Sequence, residues 1–333
     1  MNIKSLINCF LVAILTVALV SCEKPDNNGG AVEEGPSFGG GSAGSGSSQL
    51  GEKTLLSLLN EIISKQGANT PRQKVYVVAH RANSYAGIKE GCPDNSIPAI
   101  EKAIEVGADM VELDVRTTSD GKLILMHNET INATTNGTGS VANMTLAQIK
   151  SYTMDRGGSA YKDKNGNTVQ VPTLEEAMLA CKGKIYVNLD IKAVKSPLSL
   201  LYILNQTGTM GQVMIYGGGK EYAEIAQQRG WGDIAIHPFI GDVSGVDSWK
   251  SVPQAKLFQY DYNEWYNNGN MIAAGVRAKG GLTYSNILSY DSHIIKATPN
   301  YTYIDKFIAS ETDFIQTDYC DKVHDYLNKK GLR

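Results

Sequence analysis

The chain has 333 residues, a formal net charge of −3 and an apolar fraction of 42%. That length suits one large domain or two small ones, and the near-neutral balance lacks the basic excess of proteins that track nucleic acid. Cys9, Cys22, Cys92, Cys181 and Cys320 show no paired spacing, which argues against a disulfide framework or a thiolate zinc site.

Residues 1–21 read as a secretory signal. Lys4 supplies the positive start, Leu6 to Val20 is mostly apolar, and that run is too short for a comfortable membrane span. It ends in Leu19-Val20-Ser21-Cys22, which resembles the lipobox of bacterial lipoproteins. The resemblance implies cleavage before Cys22, lipidation of that cysteine and an extracytoplasmic protein anchored to a bacterial membrane. A plain secreted protein is the alternative. Residues 22–48, rich in Gly, Ser, Asn and acidic side chains, cannot bury a core and should form a flexible tether. The folded domain is expected over 49–333.

Leu55, Leu58, Leu59, Ile62 and Ile63 recur at helical spacing and predict a lead-in helix. Val75 to His80 is a strand. Asp94, Asn95 or Ser96 can cap a helix with Pro98 in its first turn, stopped by Gly107. Asp109 to Arg116 is the second strand and Leu123 to His127 a strand-like extension. A polar insertion, 128–171, carries turn signals at Asn136-Gly137 and Asn165-Gly166. Helices are then expected at Thr173–Cys181, Leu198–Asn205, Tyr222–Arg229 and Asp321–Lys329. Strands are expected at Lys184–Ile191, Val213–Tyr216, Asp233–Ile236, Leu257–Tyr260, Gly281–Ser285 and Asp313–Thr317. About eight βα units in roughly 250 residues match an α/β (β/α)₈ TIM barrel, with a doubly wound open sheet as the competitor.

Strand parity locates chemistry on one face. Glu112, Asp114 and Arg116 alternate with Val111, Leu113 and Val115; Asn188, Asp190 and Lys192 alternate with Val187, Leu189 and Ile191. The apolar faces suit helices, and the charged faces would point into a barrel mouth. Glu112, Asp114 and Asp190 converging there make an all-oxygen site suited to Mg²⁺ or Ca²⁺. Ordinary salt bridges to Arg116 and Lys192 are the bland alternative. His80 and His127 each close a strand and could serve as general acid and base. Arg81 and Lys192 add fixed positive charge that fits a phosphate. His237, the aromatic run Tyr260, Tyr262, Trp265 and Tyr266, the Gly217-Gly218-Gly219 turn and Cys92 are read as structural.

HRANS, PDNS, GADMVELDVRTTSDGKLILMHN, VPTLEEA, YVNLDIK and the terminal DFIQTDY resemble the ordered motifs of the glycerophosphodiester phosphodiesterase family. The resemblance covers most of residues 74–325. It implies a (β/α)₈ barrel that hydrolyses glycerophosphodiesters to glycerol 3-phosphate and an alcohol with a divalent cation. Carried over, it makes His80 and His127 the acid/base pair, Glu112, Asp114 and Asp190 the metal ligands, and Arg81 and Lys192 the phosphate-binding positions. Asp94 would lie next to the metal or bound to it. Four positions depart from the family pattern. Ala82 replaces a glycine, Asp94 and Asp190 each replace a glutamate, and Asn128 stands in an acidic position. The other readings are a phosphatidylinositol phospholipase C-like phosphodiesterase and a surface lipoprotein that binds phosphate esters without turnover. No nucleic-acid or protein partner is implied.

Overall fold

The computed structural model describes residues 50, 53–66, 74–156, 158–232, 234–260 and 271–333. The signal-like stretch, Cys22, the tether, Asp233, Tyr262, Trp265 and Tyr266 lie outside them. Ten strands occur among the described residues. They are β1 (Tyr76–Ala79), β2 (Met110–Thr117), β3 (Leu123–Leu125), β4 (Tyr186–Ala193), β5 (Val213–Tyr216), β6 (Ala235–His237), β7 (Phe239–Ile240), β8 (Leu257–Tyr260), β9 (Leu282–Asn286) and β10 (Phe314–Thr317).

Nine of them run in the order β6-β5-β4-β2-β1-β10-β9-β8-β7, every neighbouring pair parallel. The two ends of that row are consecutive in sequence, separated only by Pro238. Proline has no N–H to give the ladder, so the stave breaks there. β6 completes one side and β7 the other, and Ile236 bridges to Ala255 next to β8. The row therefore closes on itself as eight staves, the expected (β/α)₈ barrel. β3 is extra; it pairs antiparallel with β2 and runs back down from the rim.

The helices are α1 (Leu55–Lys65), α2 (Tyr85–Lys89), α3 (Ile97–Glu105), α4 (Leu146–Lys150), α5 (Leu174–Cys181), α6 (Pro197–Thr207), α7 (Glu221–Gln228), α8 (271–278), α9 (Asp291–Ile294), α10 (Thr302–Ala309) and α11 (Cys320–Lys329). None among the described residues is long and apolar enough to cross a membrane. Ser96, the third capping candidate, is the one used, and its hydroxyl accepts from Ala99 N. Thr173 and Glu176 close a capping box on α5.

Parity sorts the core into two layers. The outward residues Val111, Leu113, Val115, Val187 and Leu189 pack in the large cluster that takes in α3, α5 and α6. The inward residues at the N-terminal end, among them Val78, Met110, Tyr186, Met214 and Phe314, form a second cluster. α1 closes that end with Leu55 and Leu59, both fully buried. Its N-cap is Thr54, whose hydroxyl accepts from Ser57 N.

Residues 128–171 are not the merely polar insertion the composition suggests. Ile131, Val141, Ile149, Met154, Val169 and Val171 join Ile124 and Met126 in a core of their own. Its apolar residues are spaced irregularly through short 3₁₀ turns, so no 2- or 3.6-residue period announces them.

Leu59→Ala should cost about 2–4 kcal/mol, as truncation of a fully buried leucine does. The shift in urea unfolding midpoint measures it. A loss below about 1 kcal/mol would mean that α1 is not a closing element of the barrel.

Candidate active site

The inner face of the barrel changes character from bottom to top. On β2 it reads Met110, Glu112, Asp114; on β4 it reads Tyr186, Asn188, Asp190. The register pairs Asp114 with Asp190 side by side at the C-terminal rim. One carboxylate oxygen each from Glu112, Asp114 and Asp190 lies within 4.8 Å of the other two. Just above, Val115 pairs with Ile191 but Arg116 with Ala193, so Lys192 is the extra residue of a bulge. Its Nζ lies 2.7 Å from Asp190 Oδ2 and 3.3 Å from Asp114 Oδ1. Arg116, the other expected salt-bridge partner, instead donates from Nε and Nη2 to the carbonyl of His127.

β1 ends in a tight left-handed turn. Arg81 has φ 51° and Ala82 φ 61°, a region that costs an L-residue roughly 1–2 kcal/mol. The turn points the backbone N–H of Arg81 at Glu112 Oε2, 2.8 Å away. It brings Arg81 Nε to 3.7 Å from Asp114 Oδ2 and Nη1 to 3.4 Å from Asp94 Oδ2. A glycine adopts φ 61° freely, which gives a physical reason for glycine at the position Ala82 occupies. Asn95, at φ 57°, donates from Nδ2 to Asp114 Oδ2 and accepts from Asp114 N.

The charges are poorly balanced. Glu112 is 3% exposed and accepts one hydrogen bond, the Arg81 backbone N–H. Among the described residues no lysine or arginine side chain forms an ion pair with it. Burial, and then the charges of Asp114 and Asp190, push its carboxyl well above the ordinary range. Burial also raises Asp190, against the opposing pull of Lys192. For Lys192 burial pulls downward, but Asp190, Asp114 and Glu112 outweigh it and the net shift is upward. Three crowded carboxylates, one of them buried without a cation, fit a hard divalent ion, because a buried charge must be paired or metal-bound.

His80 directly precedes Arg81 after β1, and His127 follows β3. His80 Nδ1 lies 2.8 Å from Asp318 Oδ1, on the loop after β10. Burial would raise Asp318, but hydrogen bonds from His80 and Asn83 and the charges of His80 and Arg81 outweigh it and hold the carboxyl low. Asp318 is itself fixed from behind. Its backbone N–H and the Thr317 hydroxyl donate to the two oxygens of Asp291, each at 2.6 Å. Asp291 is 3% exposed, and burial, abetted by the charge of Asp318, pushes its carboxyl up to about 7. His127 follows β3 back down toward Asp114, whose carbonyl accepts from Met126 N. The His127 ring bonds Asn128 Oδ1 through Nδ1 at 2.7 Å. His127, Arg81 and Asp94 border one cavity of about 130 Å³.

Asp94 stands apart from the acidic group. Its oxygens face two guanidinium groups, Arg81 at 3.4 Å and Arg156 at 2.9 Å. Arg156, Asp318, Asp291 and Asn95 are the site residues that sequence reasoning missed. Asp318 lies inside the quoted DFIQTDY motif, and Asn95 beside Asp94; the other two carried no local signal. His237 is core, as expected, 0% exposed and with its acid–base range lowered to about 3 by burial. Cys92 is buried, its Sγ 3.2 Å from the Tyr161 hydroxyl.

Residues 80–199 match the glycerophosphoryl diester phosphodiesterase family. A glycerophosphodiester phosphodiesterase of Caldanaerobacter subterraneus subsp. tengcongensis is 39% identical over 121 residues, 36% of this chain and 46% of its own. Over residues 80–199 the chain is similar to this family. A glycerophosphodiester phosphodiesterase of Bacillus subtilis is 41% identical over 166 residues, 44% of this chain and 54% of its own. This chain thus spans about half the length of the curated relatives it matches. The crystal structure of a glycerophosphoryl diester phosphodiesterase from Parabacteroides distasonis shares the fold, with a TM-score of 0.62 at 20% identity over 82% of this chain and 92% of that one.

Asp291 makes a pH prediction. Its folded value lies above the ordinary carboxylate range, so ionisation opposes folding. The stability tied to its protonated form is fully present below about pH 4 and is lost as the pH rises through about 7. Asp291→Asn cannot ionise. Urea unfolding at pH 4 and pH 8 should show the wild type losing about 2–4 kcal/mol more than the variant over that interval. Equal losses would contradict the assignment.

Proposed function

We propose that this protein is a metal-dependent phosphodiesterase that hydrolyses glycerophosphodiesters to glycerol 3-phosphate and an alcohol. One observation carries the reading: three carboxylates, Arg81 and Lys192 converge at the barrel rim, inside the stretch that matches the family. Active sites of (β/α)₈ enzymes lie at that rim.

Glu112, Asp114 and Asp190 would hold the cation, Mg²⁺ or Ca²⁺. When bound, it supplies Lewis-acid stabilisation of charge on phosphate oxygens. Arg81 and Lys192 receive the phosphate oxygens through charge-assisted hydrogen bonds. His80 and His127 move the protons. Each ring is engaged through Nδ1, His80 by the Asp318 carboxylate and His127 by the Asn128 amide oxygen, which leaves Nε2 to exchange a proton. One Nε2 takes the proton of the attacking hydroxyl as its oxygen bonds phosphorus. The other gives a proton to the departing alkoxide as the second P–O bond breaks.

His80→Ala and His127→Ala should each lower turnover of a glycerophosphodiester at least ~10²-fold, the usual contribution of a general acid or base. Release of glycerol 3-phosphate by the full chain, assayed with glycerophosphocholine, glycerophosphoethanolamine, glycerophosphoglycerol and glycerophosphoinositol, reads this out. Turnover unaffected by EDTA, or by either substitution, would contradict the mechanism. Turnover of intact phosphatidylinositol in place of these head groups would favour the phospholipase C-like reading.

We also propose that residues 1–21 direct export and that lipidated Cys22 anchors the folded domain to the extracytoplasmic side of a bacterial membrane. Leu19-Val20-Ser21-Cys22 supports this. Mass spectrometry of the membrane fraction should find a mature chain beginning at an acylated Cys22, and Cys22→Ser should remain uncleaved. A soluble mature wild-type chain without acyl groups would contradict it.

A further inference from the structure

The segment 128–171 brings a cation to the site that the barrel alone does not possess. Met154 is fully buried in that segment's core, and its N–H donates to Val169 O at 2.7 Å. Asp155 and Ala160 pair across an antiparallel bridge. Arg156, held between these anchors, reaches the barrel rim. Its Nη1 alone meets three oxygens: Asp94 Oδ1 at 2.9 Å, the Cys92 carbonyl at 2.8 Å and Asn83 Oδ1 at 3.2 Å. Its Nε and Nη2 make no hydrogen bond to any described residue, and 31% of the side chain stays exposed.

Asp94 is the link to the rest of the site. One oxygen holds Arg156 and the other faces Arg81 at 3.4 Å, so a single carboxylate sets two guanidinium groups beside each other. A guanidinium pinned through one nitrogen keeps the rest of its rigid, planar donor set in a fixed orientation. That arrangement suits bidentate binding of a phosphate-type oxyanion. It also explains why a short aspartate serves at this position: its partners are guanidinium groups, and Glu112, Asp114 and Asp190 converge without it.

We propose that Arg156 is a specificity-determining residue that binds a phosphate oxygen of the substrate beside Arg81, with Asp94 as its positioning carboxylate. The assignment rests on the phosphodiesterase reading for its substrate but not for its test. The full chain and its Arg156→Ala, Arg156→Lys and Arg156→Gln variants are compared in Mg²⁺ buffer. Three quantities are measured: the Kd for inorganic phosphate by titration calorimetry, KM and kcat for one glycerophosphodiester, and Tm.

Arg156→Ala should raise the phosphate Kd and KM at least ~10-fold, with kcat affected less and Tm within about 2 °C of the wild type. Arg156→Lys, a point charge without the fork, should recover only part of the binding. If Arg156→Ala does not fold, Arg156→Lys and Arg156→Gln carry the same comparison. An unchanged Kd in these variants overturns the proposal, as does a fall in kcat without any change in Kd. Arg156-dependent phosphate binding without turnover would sink the proposed reaction and leave this assignment standing. Turnover insensitive to Arg156 would sink this assignment alone, and a wild type that neither binds phosphate nor turns over would sink both.

Discussion

Everything at the rim depends on the repulsion among Glu112, Asp114 and Asp190. β2 and β4 are parallel neighbours in register, so alternate residues on their inner faces must meet. A carboxylate as buried as Glu112, with like charges within 4.8 Å and, among the described residues, only a backbone N–H hydrogen-bonded to it, is unfavourable by itself. The surroundings offset part of that cost. Lys192 bridges Asp190 and Asp114, Asn95 binds Asp114 at two points, and Arg81 is bent into a left-handed turn so that its N–H meets Glu112. Such a frustrated cluster is retained where a site has work for it.

The second organising constraint is a set of brackets behind the working side chains. Asp318 holds His80, Asp291 holds the backbone of Asp318, and Asp94 holds both arginines. The two histidines are backed unequally, one by a carboxylate and one by an amide oxygen. One backing group is an anion and the other a neutral amide, so the two rings are not interchangeable in the proposed chemistry.

The barrel was legible because its signals are local. Parity alone separated Glu112 and Asp114 from Val111 and Leu113, and the strands at Val213–Tyr216 and Leu257–Tyr260 have the boundaries that their apolar runs predict. The short strand β7 was hidden because Pro238 splits one stave in two, and closure of the ring shows only in the pairing. The carboxylate triad was legible for the same reason as the barrel, since strand spacing fixes where its members point. The brackets were not. Asp318 lies 238 residues from His80, and Arg156 lies 62 from Asp94. Asp291 opens a four-residue helix with no amphipathic pattern long enough to read. Arg156 was the hardest of all, because the core that positions it sits in a segment whose composition reads as loop.

The proposed function requires the barrel rim to hold one divalent cation between Glu112, Asp114 and Asp190. Anomalous scattering from crystals of the protein soaked in Mn²⁺, a stand-in for Mg²⁺ or Ca²⁺, tests it most directly. The account predicts one strong peak coordinated by oxygens of all three residues, with Asp94 still paired to Arg81 and Arg156. A peak that includes Asp94 and omits one of the three, or no peak at the rim at saturating Mn²⁺, would contradict it.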